Sequence, residues 1–203
     1  SGPRNISTAM MRSWGNRDDC VVCDEPFYAF YLNATRKPHP GLEEVISAGE
    51  TDWRKVAENL TGPIPGGKQV WYQKHMTHHM LDGFDRSWIE RVRNAFLIRD
   101  PARVLASYAR AWSDVTLADI GYVQQSEIFD RIADRLGHAP PVLESSDVPA
   151  NPRGMLAALC GALEIPGGQR MADGIGSQTV LLVPDACLPV QEWDVSGLFL
   201  QRV

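Results

Sequence analysis

One stretch in the middle of the chain strongly limits the fold, because a strand, a turn and a helix follow one another there without a break. Residues 95–98 form a short apolar run that predicts a strand. Polar Arg99 and Asp100 follow as a turn, and Pro101 stands at the first helical position, where proline is favoured. The predicted helix carries Ser107. A strand that leads directly into a helix is typical of α/β folds with parallel strands.

Strand and helix patterns alternate along the rest of the chain as well. Apolar runs between turn residues predict strands at 20–23, at 69–72 and in the PPVLESSDV segment. Helical patterns are predicted at 26–34, at 52–60, as one long helix after a Thr116-x-x-Asp119 cap, and at 151–163. The sequence therefore predicts an α/β fold in which helices flank a central parallel sheet.

The chain opens on SGPRNISTAMMRSWGNR, where a Gly-Pro turn, a cation and two hydroxyl residues run into a helical pattern. Ser7 and Thr8 stand where that helix begins, so free backbone N–H groups, hydroxyls and the positive end of the helix dipole would meet there. Arg4 adds a full positive charge. This combination predicts a cradle for a phosphate or sulfate group. The alternative is an ordinary N-capped helix, since Ser and Thr are common at such positions.

Together the two segments resemble the paired donor-binding motifs of the sulfotransferase family that uses 3′-phosphoadenosine 5′-phosphosulfate (PAPS). In that family a Lys or Arg followed by two Ser/Thr residues holds the 5′-phosphosulfate, while an Arg at a strand end and a Ser further along the helix hold the 3′-phosphate. The resemblance implies a single-domain, three-layer P-loop-type fold, PAPS as co-substrate and no metal. The donor-binding residues that it implies are Arg4, Asn5, Ser7, Thr8, Arg99 and Ser107. Arg4 is also expected to act in catalysis, by stabilising the charge that develops on the bridging oxygen.

The resemblance covers residues 1–164 and has gaps. Residues 165–203 have no counterpart in the pattern and stay unassigned. Ala9 stands where the family often has a Trp that stacks on adenine, and Trp14 is the expected substitute from a nearby turn.

Catalytic candidates follow the predicted second strand. In cytosolic sulfotransferases this strand ends in a Lys, and a His two residues later acts as the base. Lys74 fits the pattern, whereas the first histidine comes one residue early, as His75, with His78 and His79 on the next turn. Glu25, at the end of the first predicted strand, is a further candidate for the base.

Structural roles compete with each of these assignments. The histidines could be ordinary surface or capping residues, or a metal-binding pair, and Glu25 could simply stabilise the start of a helix. Because the cluster has no Cys or carboxylate to complete a ligand set, the sequence predicts no metal site.

Two motifs in the sequence are misleading. Residues 62–68 read G-x-x-x-x-G-K, but Gln69 replaces the required Ser/Thr, and two prolines remove N–H groups that a phosphate loop needs. We interpret them as a loop at the end of residues 36–68, a polar insertion or lid. Cys20 and Cys23 form C-x-x-C, yet they lie in an apparent strand without a second pair, so buried structural cysteines are expected.

The length and net charge of the chain limit its possible partners. The chain has 203 residues, which predicts one domain over 1–203, and it contains no apolar run long enough to cross a membrane. A net charge of −5 argues against nucleic acid as a partner, since binding to a phosphate backbone needs a basic face. We expect a small-molecule acceptor and a cytoplasmic location, and a homodimer stays open.

Two other functions remain as alternatives at this point. One is a small-molecule kinase with a divergent phosphate loop, which would need a Lys and a magnesium-binding Ser/Thr in the loop. The other is a nucleotide- or anion-binding protein without turnover, which the unassigned tail and the displaced histidine keep open.

Overall fold

A computed structural model describes residues 1–109, 115–167 and 171. Its helices and strands alternate as the sequence patterns predict. The strands are β1 (Cys20–Asp24), β2 (Val70–Lys74), β3 (Phe96–Ile98) and β4 (Val142–Glu144). The helices are α1 (Ser7–Gly15), α2 (Tyr28–Thr35), α3 (Leu42–Ala48), α4 (Trp53–Leu60), α5 (Pro101–Tyr108), α6 (Leu117–Ile120), α7 (Tyr122–Leu136), α8 (Asp147–Ala150) and α9 (Pro152–Ala162).

The strands form two parallel pairs. β1 pairs with β2 in a register that sets Asp24 opposite Lys74, and β3 pairs with β4 in a register that sets Ile98 opposite Glu144. Because parallel strands end at the same edge, the residues that follow β1 lie close to those that follow β2. This confirms the predicted α/β class with parallel strands.

Helices cover both faces of the strands. Neighbouring strand residues point to opposite faces, and in β3 Phe96 packs into one hydrophobic cluster while Leu97 packs into another. The first cluster, around Trp88, also takes side chains from α4 and α7. The second, around Trp14, takes side chains from α1, α8 and α9. The strands therefore lie between two layers of helices.

Helix boundaries follow from local capping. Asp52, Asp100 and Asn151 each accept a hydrogen bond from a backbone N–H in the first turn of α4, α5 and α9, respectively. Proline occupies the first turn of α5 and of α9, as predicted. The strand–turn–helix unit that ends in α5 is confirmed.

The long helix expected after Thr116 is broken. Thr116 and Asp119 form the predicted capping box, but α6 ends at Ile120 and is followed by Gly121, whose φ of 67° lies in the left-handed region. A Cβ at this position would lie only 2.7 Å from the backbone nitrogen of His78. The chain therefore turns at a glycine here, and α7 begins in a new direction.

The polar insertion at 36–68 contributes to the core. Its helix α4 buries Val56, Ala57 and Leu60 in the Trp88 cluster. Residues 62–68 are exposed and form a loop with a single 3₁₀ turn at Pro65–Gly67, as the sequence indicated. A lid role for the insertion stays a prediction, and most of the unassigned tail falls outside the described residues.

Cys20 and Cys23 are buried strand residues, as expected. Within the described part of the chain, every helix is too short or too polar to cross a bilayer.

Candidate active site

The loop before α1 is fastened to β3 by Asn5. The Asn5 side-chain oxygen accepts a hydrogen bond from the Ser7 N–H at 3.0 Å, and its side-chain nitrogen donates to the Leu97 carbonyl at 3.4 Å. Helix α1 starts at Ser7 without a side-chain cap at Ile6. The Ser7 N–H, which the sequence left free for an anion, is thus directed at Asn5, and the loop is held in one shape.

Arg4 joins the two motifs that the sequence singled out. Its Nε donates to Ser107 Oγ at 3.0 Å and its second terminal nitrogen donates to the Ser107 carbonyl at 2.9 Å. Arg99 in turn donates a hydrogen bond to the Arg4 carbonyl. Residues that lie 103 positions apart in the chain therefore meet at one place.

A cavity of about 450 Å³ opens beside Arg99, at the carboxyl ends of β3 and β4. Its lining carries charged side chains of both signs and consists of Ile98, Arg99, Asp100, Pro101, Arg103, Glu144 and Ser146. This is the edge at which open α/β sheets usually bind ligands.

Lys74 is the centre of the second part of the site. Its Nζ lies 2.6 Å from Asp24 Oδ1, 2.8 Å from Glu25 Oε1 and 3.5 Å from Thr8 Oγ1. The lysine side chain is only 5% exposed, whereas the two carboxylates are about one-quarter exposed. The parallel register of β1 and β2 creates this arrangement, because it places the ends of both strands side by side.

The charges of this cluster depend on one another. Burial favours the neutral amine of Lys74, but the carboxylates of Glu25 and Asp24 outweigh it and raise the lysine pKa above its usual value. Burial raises the pKa of Asp24, and the nearby ammonium of Lys74 opposes that rise. Lys74 is therefore a permanent cation within reach of the hydroxyl of Thr8.

Glu25 occupies an unusual backbone position. Its φ of 44° lies in the left-handed region, which costs a non-glycine residue roughly 1 kcal/mol or more. Its N–H donates to the Lys74 carbonyl at 3.0 Å, and its own carbonyl accepts from the Tyr28 N–H at 2.9 Å. These bonds hold the strained residue at the junction of β1 and α2, with its carboxylate between Lys74 and His79.

The histidines lie in apolar surroundings. The His75 ring packs against Phe27 and Trp88, with ring centres 5.7 and 5.3 Å apart, and burial lowers its pKa to about 3. Burial likewise lowers the pKa of His78 to about 4, and this ring packs against Tyr31. Both imidazoles are therefore neutral and only weakly basic near pH 7.

His79 is the histidine that approaches Glu25. Its Nε2 lies 3.9 Å from Glu25 Oε2, and its ring stacks on Tyr28 with centres 5.1 Å apart. The pKa of His79 lies well below its usual value, chiefly because of burial.

The sequence-predicted residues thus fall into two groups. The donor candidates form the first group. Hydrogen bonds join Arg4 to Ser107, Arg99 to Arg4 and Ser7 to Asn5, and Thr8 is next to Ser7 at the start of α1. Among the catalytic candidates, Lys74 and Glu25 are in direct contact, while His75 and His78 are turned into aromatic packing.

Sequence reasoning missed Asp24 as the second carboxylate on Lys74. The signal was present, because two acidic residues end a strand that pairs in parallel with the strand ending in Lys74. The expectation that Trp14 replaces an adenine-stacking Trp is wrong. Its side chain is 1% exposed and stacks on Tyr72 in the core, because α1, which carries Trp14, packs against β2, which carries Tyr72.

Among the described residues, no three His, Cys, Asp or Glu side chains are grouped closely enough to hold a metal ion.

Comparisons with known proteins agree with the motifs. The family model described as "Sulfotransferase domain" matches residues 1–179, which extends past the 164 residues over which the motifs can be followed. Two curated proteins of Arabidopsis thaliana, branched-chain-amino-acid aminotransferase-like proteins 2 and 1, are 30% and 32% identical to the chain over 166 residues.

Those 166 residues make up 82% of this chain and 29% of each relative, so the chain spans less than a third of the relatives' length. No solved structure matches. Because the family match covers most of the polypeptide, we conclude that the chain belongs to the sulfotransferase-domain family.

Proposed function

We propose that the protein transfers a sulfuryl group from PAPS to a hydroxyl or amine of a small-molecule acceptor. One observation carries this proposal: Arg4 bonds to Ser107 and Arg99 bonds to Arg4, so the opening loop and the strand–turn–helix motif meet at one point. A donor with anionic groups at both ends of its ribose could be gripped by both motifs at once.

Each end of the donor has a suitable partner. Arg99 and Ser107 suit the 3′-phosphate, because a guanidinium and a hydroxyl together recognise a phosphate dianion well. Thr8 suits the phosphosulfate, whereas the Ser7 N–H is already bonded to Asn5. Lys74 Nζ is 3.5 Å from Thr8 Oγ1, so oxygens held by Thr8 would also contact a buried cation.

The chemistry then needs mainly positioning and charge stabilisation. The acceptor oxygen or nitrogen attacks sulfur, the bond between sulfur and the bridging oxygen breaks, and adenosine 3′,5′-bisphosphate leaves. Lys74 stabilises the charge on the transferring group and on the bridging oxygen. The acceptor proton must pass to a base on the side facing the attack.

We assign the base to Glu25. Its carboxylate is 25% exposed, touches Lys74, and stands on a strained backbone, as residues at functional sites often do. His75 and His78 are weaker candidates, because their rings are buried and packed against aromatic side chains, His75 against Phe27 and Trp88 and His78 against Tyr31.

Transfer of labelled sulfate from PAPS to a panel of hydroxyl and amine acceptors tests the function, with labelled ATP and magnesium assayed in parallel. We expect transfer of sulfate and none of phosphate. Glu25→Gln should lower kcat by roughly 10²- to 10⁴-fold. The matched control Glu44→Gln, an exposed glutamate on α3, should leave kcat unchanged.

Phosphate transfer from ATP would identify a kinase and overturn the proposal. A larger loss of kcat in His78→Ala than in Glu25→Gln would move the base to the histidine.

A further inference from the structure

The carboxylate of Glu25 has a different neighbour at each oxygen. Oε1 lies 2.8 Å from Lys74 Nζ, and Oε2 faces Nε2 of His79 at 3.9 Å. The contact with Lys74 neutralises the charge of the acid, but a single contact leaves a carboxylate free to turn about its last bond. The contact on the other oxygen therefore decides which way the carboxylate plane lies.

The ring of His79 is held by aromatic side chains. It is 2% exposed, and its centre is 5.1 Å from that of Tyr28 and 4.8 Å from that of Tyr31. The His78 ring packs edge-on against it at 4.4 Å. Tyr28 also donates its backbone N–H to the Glu25 carbonyl at 2.9 Å. One residue of α2 thus holds both members of the contact.

The surroundings also determine which nitrogen of His79 carries the proton. Burial lowers the pKa of His79 well below its usual value, so the ring is neutral near pH 7 and has one N–H. Nδ1 is buried and has no hydrogen-bond partner within the described part of the chain, whereas Nε2 faces a carboxylate oxygen. A buried N–H without an acceptor costs free energy, and a bare nitrogen facing a carboxylate would repel it. The proton therefore belongs on Nε2, directed at Glu25.

We propose that His79 is a positioning residue of the transfer reaction, which donates its Nε2–H to Glu25 Oε2 and fixes the direction of that carboxylate. This inference rests on the proposed function, with Glu25 as the base. A carboxylate offers about two acceptor positions on each oxygen, so one contact from Lys74 and one from His79 leave room for the acceptor's proton. His79 itself takes no proton. Catalytic hydrogen bonds often shorten when the substrate binds, as the distance of 3.9 Å requires here.

Two substitutions separate this role from packing. His79→Phe keeps an aromatic ring between the tyrosines and loses the N–H, whereas His79→Gln loses the ring and keeps an N–H about as far from the backbone as Nε2. We expect kcat for sulfate transfer to fall roughly 10- to 100-fold in His79→Phe and distinctly less in His79→Gln. If the ring only fills space, this order is reversed. The control His138→Phe, at an exposed histidine before β4, should leave kcat unchanged.

Thermal unfolding checks that each variant is folded. If His79→Phe does not fold, His79→Met takes its place, because methionine has nearly the shape of glutamine and no N–H. The comparison with His79→Gln then has the same expected order.

The pH profile gives a second readout. Donation to Oε2 favours the charged carboxylate, so its loss lets Glu25 take up a proton at higher pH. The acidic limb of kcat/KM should therefore move up by roughly 0.5 pH unit or more in His79→Phe, and by less in His79→Gln. Charged and titratable groups that lie near Glu25 are kept in both variants, namely Asp24, Lys74, Tyr28, His39, His78 and Tyr108.

A measurement that needs no turnover keeps the two proposals apart. Nitrogen NMR of histidine-labelled protein should show His79 with its proton on Nε2, as a signal that is missing in His79→Phe and shifted in Glu25→Gln. A proton on Nδ1, or a signal that Glu25→Gln leaves in place, overturns the contact. A kcat in His79→Phe equal to or above that in His79→Gln overturns the role of His79 and leaves the proposed function standing. A wild type that transfers no sulfate from PAPS overturns the proposed function and the role of His79 in it, even where NMR shows the contact.

Discussion

Replacing Lys74 by methionine should destabilise the protein strongly, although the substituted residue is apolar and of similar length. The lysine is 5% exposed and neutralises two carboxylates, at 2.6 Å on Asp24 and 2.8 Å on Glu25. The variant leaves both acids without their cation. Loss of one partner of a buried ion pair costs roughly 3–5 kcal/mol. Because the carboxylates are about one-quarter exposed, we expect Lys74→Met to lower the free energy of unfolding by roughly 2–4 kcal/mol at pH 7.

The loss of stability in Lys74→Met relative to the wild type should become smaller as the pH falls. Burial raises the folded-state pKa of Asp24 above its unfolded value, so the folded state binds a proton more readily and gains stability relative to the unfolded state on acidification. Without Lys74 the pKa of Asp24 rises further, which enlarges this gain in the variant. Lys74 itself has a raised folded-state pKa, so its contribution in the wild type is complete below the unfolded pKa and is lost only in strong base.

Urea unfolding followed by tryptophan fluorescence at pH 5.0 and 7.5 measures both effects. Lys55→Met is the matched control, because Lys55 is exposed and its ion pair to Glu50 at 3.6 Å is worth at most about 0.5 kcal/mol. Adding Asp24→Asn to Lys74→Met should restore part of the lost stability. A loss of stability below about 1 kcal/mol, or one that is equal at both pH values, would show that Lys74 does not neutralise two partly buried carboxylates in the folded protein.

Three further predictions concern packing and caps. Gly121→Ala should lower the free energy of unfolding by over about 2 kcal/mol, because the new Cβ would collide with the Thr77–His79 turn. Gly83→Ala, which is also at positive φ but in open space, should lower it by only about 1 kcal/mol, and thermal unfolding measures both. Trp14→Ala, at a side chain that is 1% exposed, should cost roughly 3–5 kcal/mol in urea unfolding, and a cost under 2 would contradict its core position. Asp100→Ala removes the cap of α5 and should cost about 1 kcal/mol in chemical denaturation, and no change would show that the cap is dispensable.

Local sequence signals predicted the elements that carry the site. Each of these signals affects only the residues next to it. They are the apolar run before Arg99, the proline at the start of α5 and the hydroxyls at the start of α1. Such short-range patterns determine strands, caps and helix starts directly. The helix start beside Arg4 indicates an anion site by itself, whereas Arg99 and Ser107 become candidates only through the resemblance to the sulfotransferase motifs.

Contacts between distant segments could not be predicted in the same way. The cluster of Asp24, Glu25 and Lys74 requires the register between β1 and β2, which no local pattern specifies. The direction of the Arg4 side chain depends on a positive φ and on partners about a hundred residues away. Histidine is a residue type that often acts as a catalytic base. The aromatic neighbours of His75, which come from two other segments, bury its ring, and this burial lowers its pKa.

The proposed function requires that Arg99 and the opening loop hold one PAPS-type ligand, and equilibrium calorimetry with adenosine 3′,5′-bisphosphate tests this most directly. We expect the wild type to bind the bisphosphate with micromolar or tighter affinity, Arg99→Ala to bind it roughly 10-fold or more weakly, and ATP with magnesium to bind the wild type more weakly than the bisphosphate. Preference for ATP, or unchanged bisphosphate binding in Arg99→Ala, would contradict the proposed function.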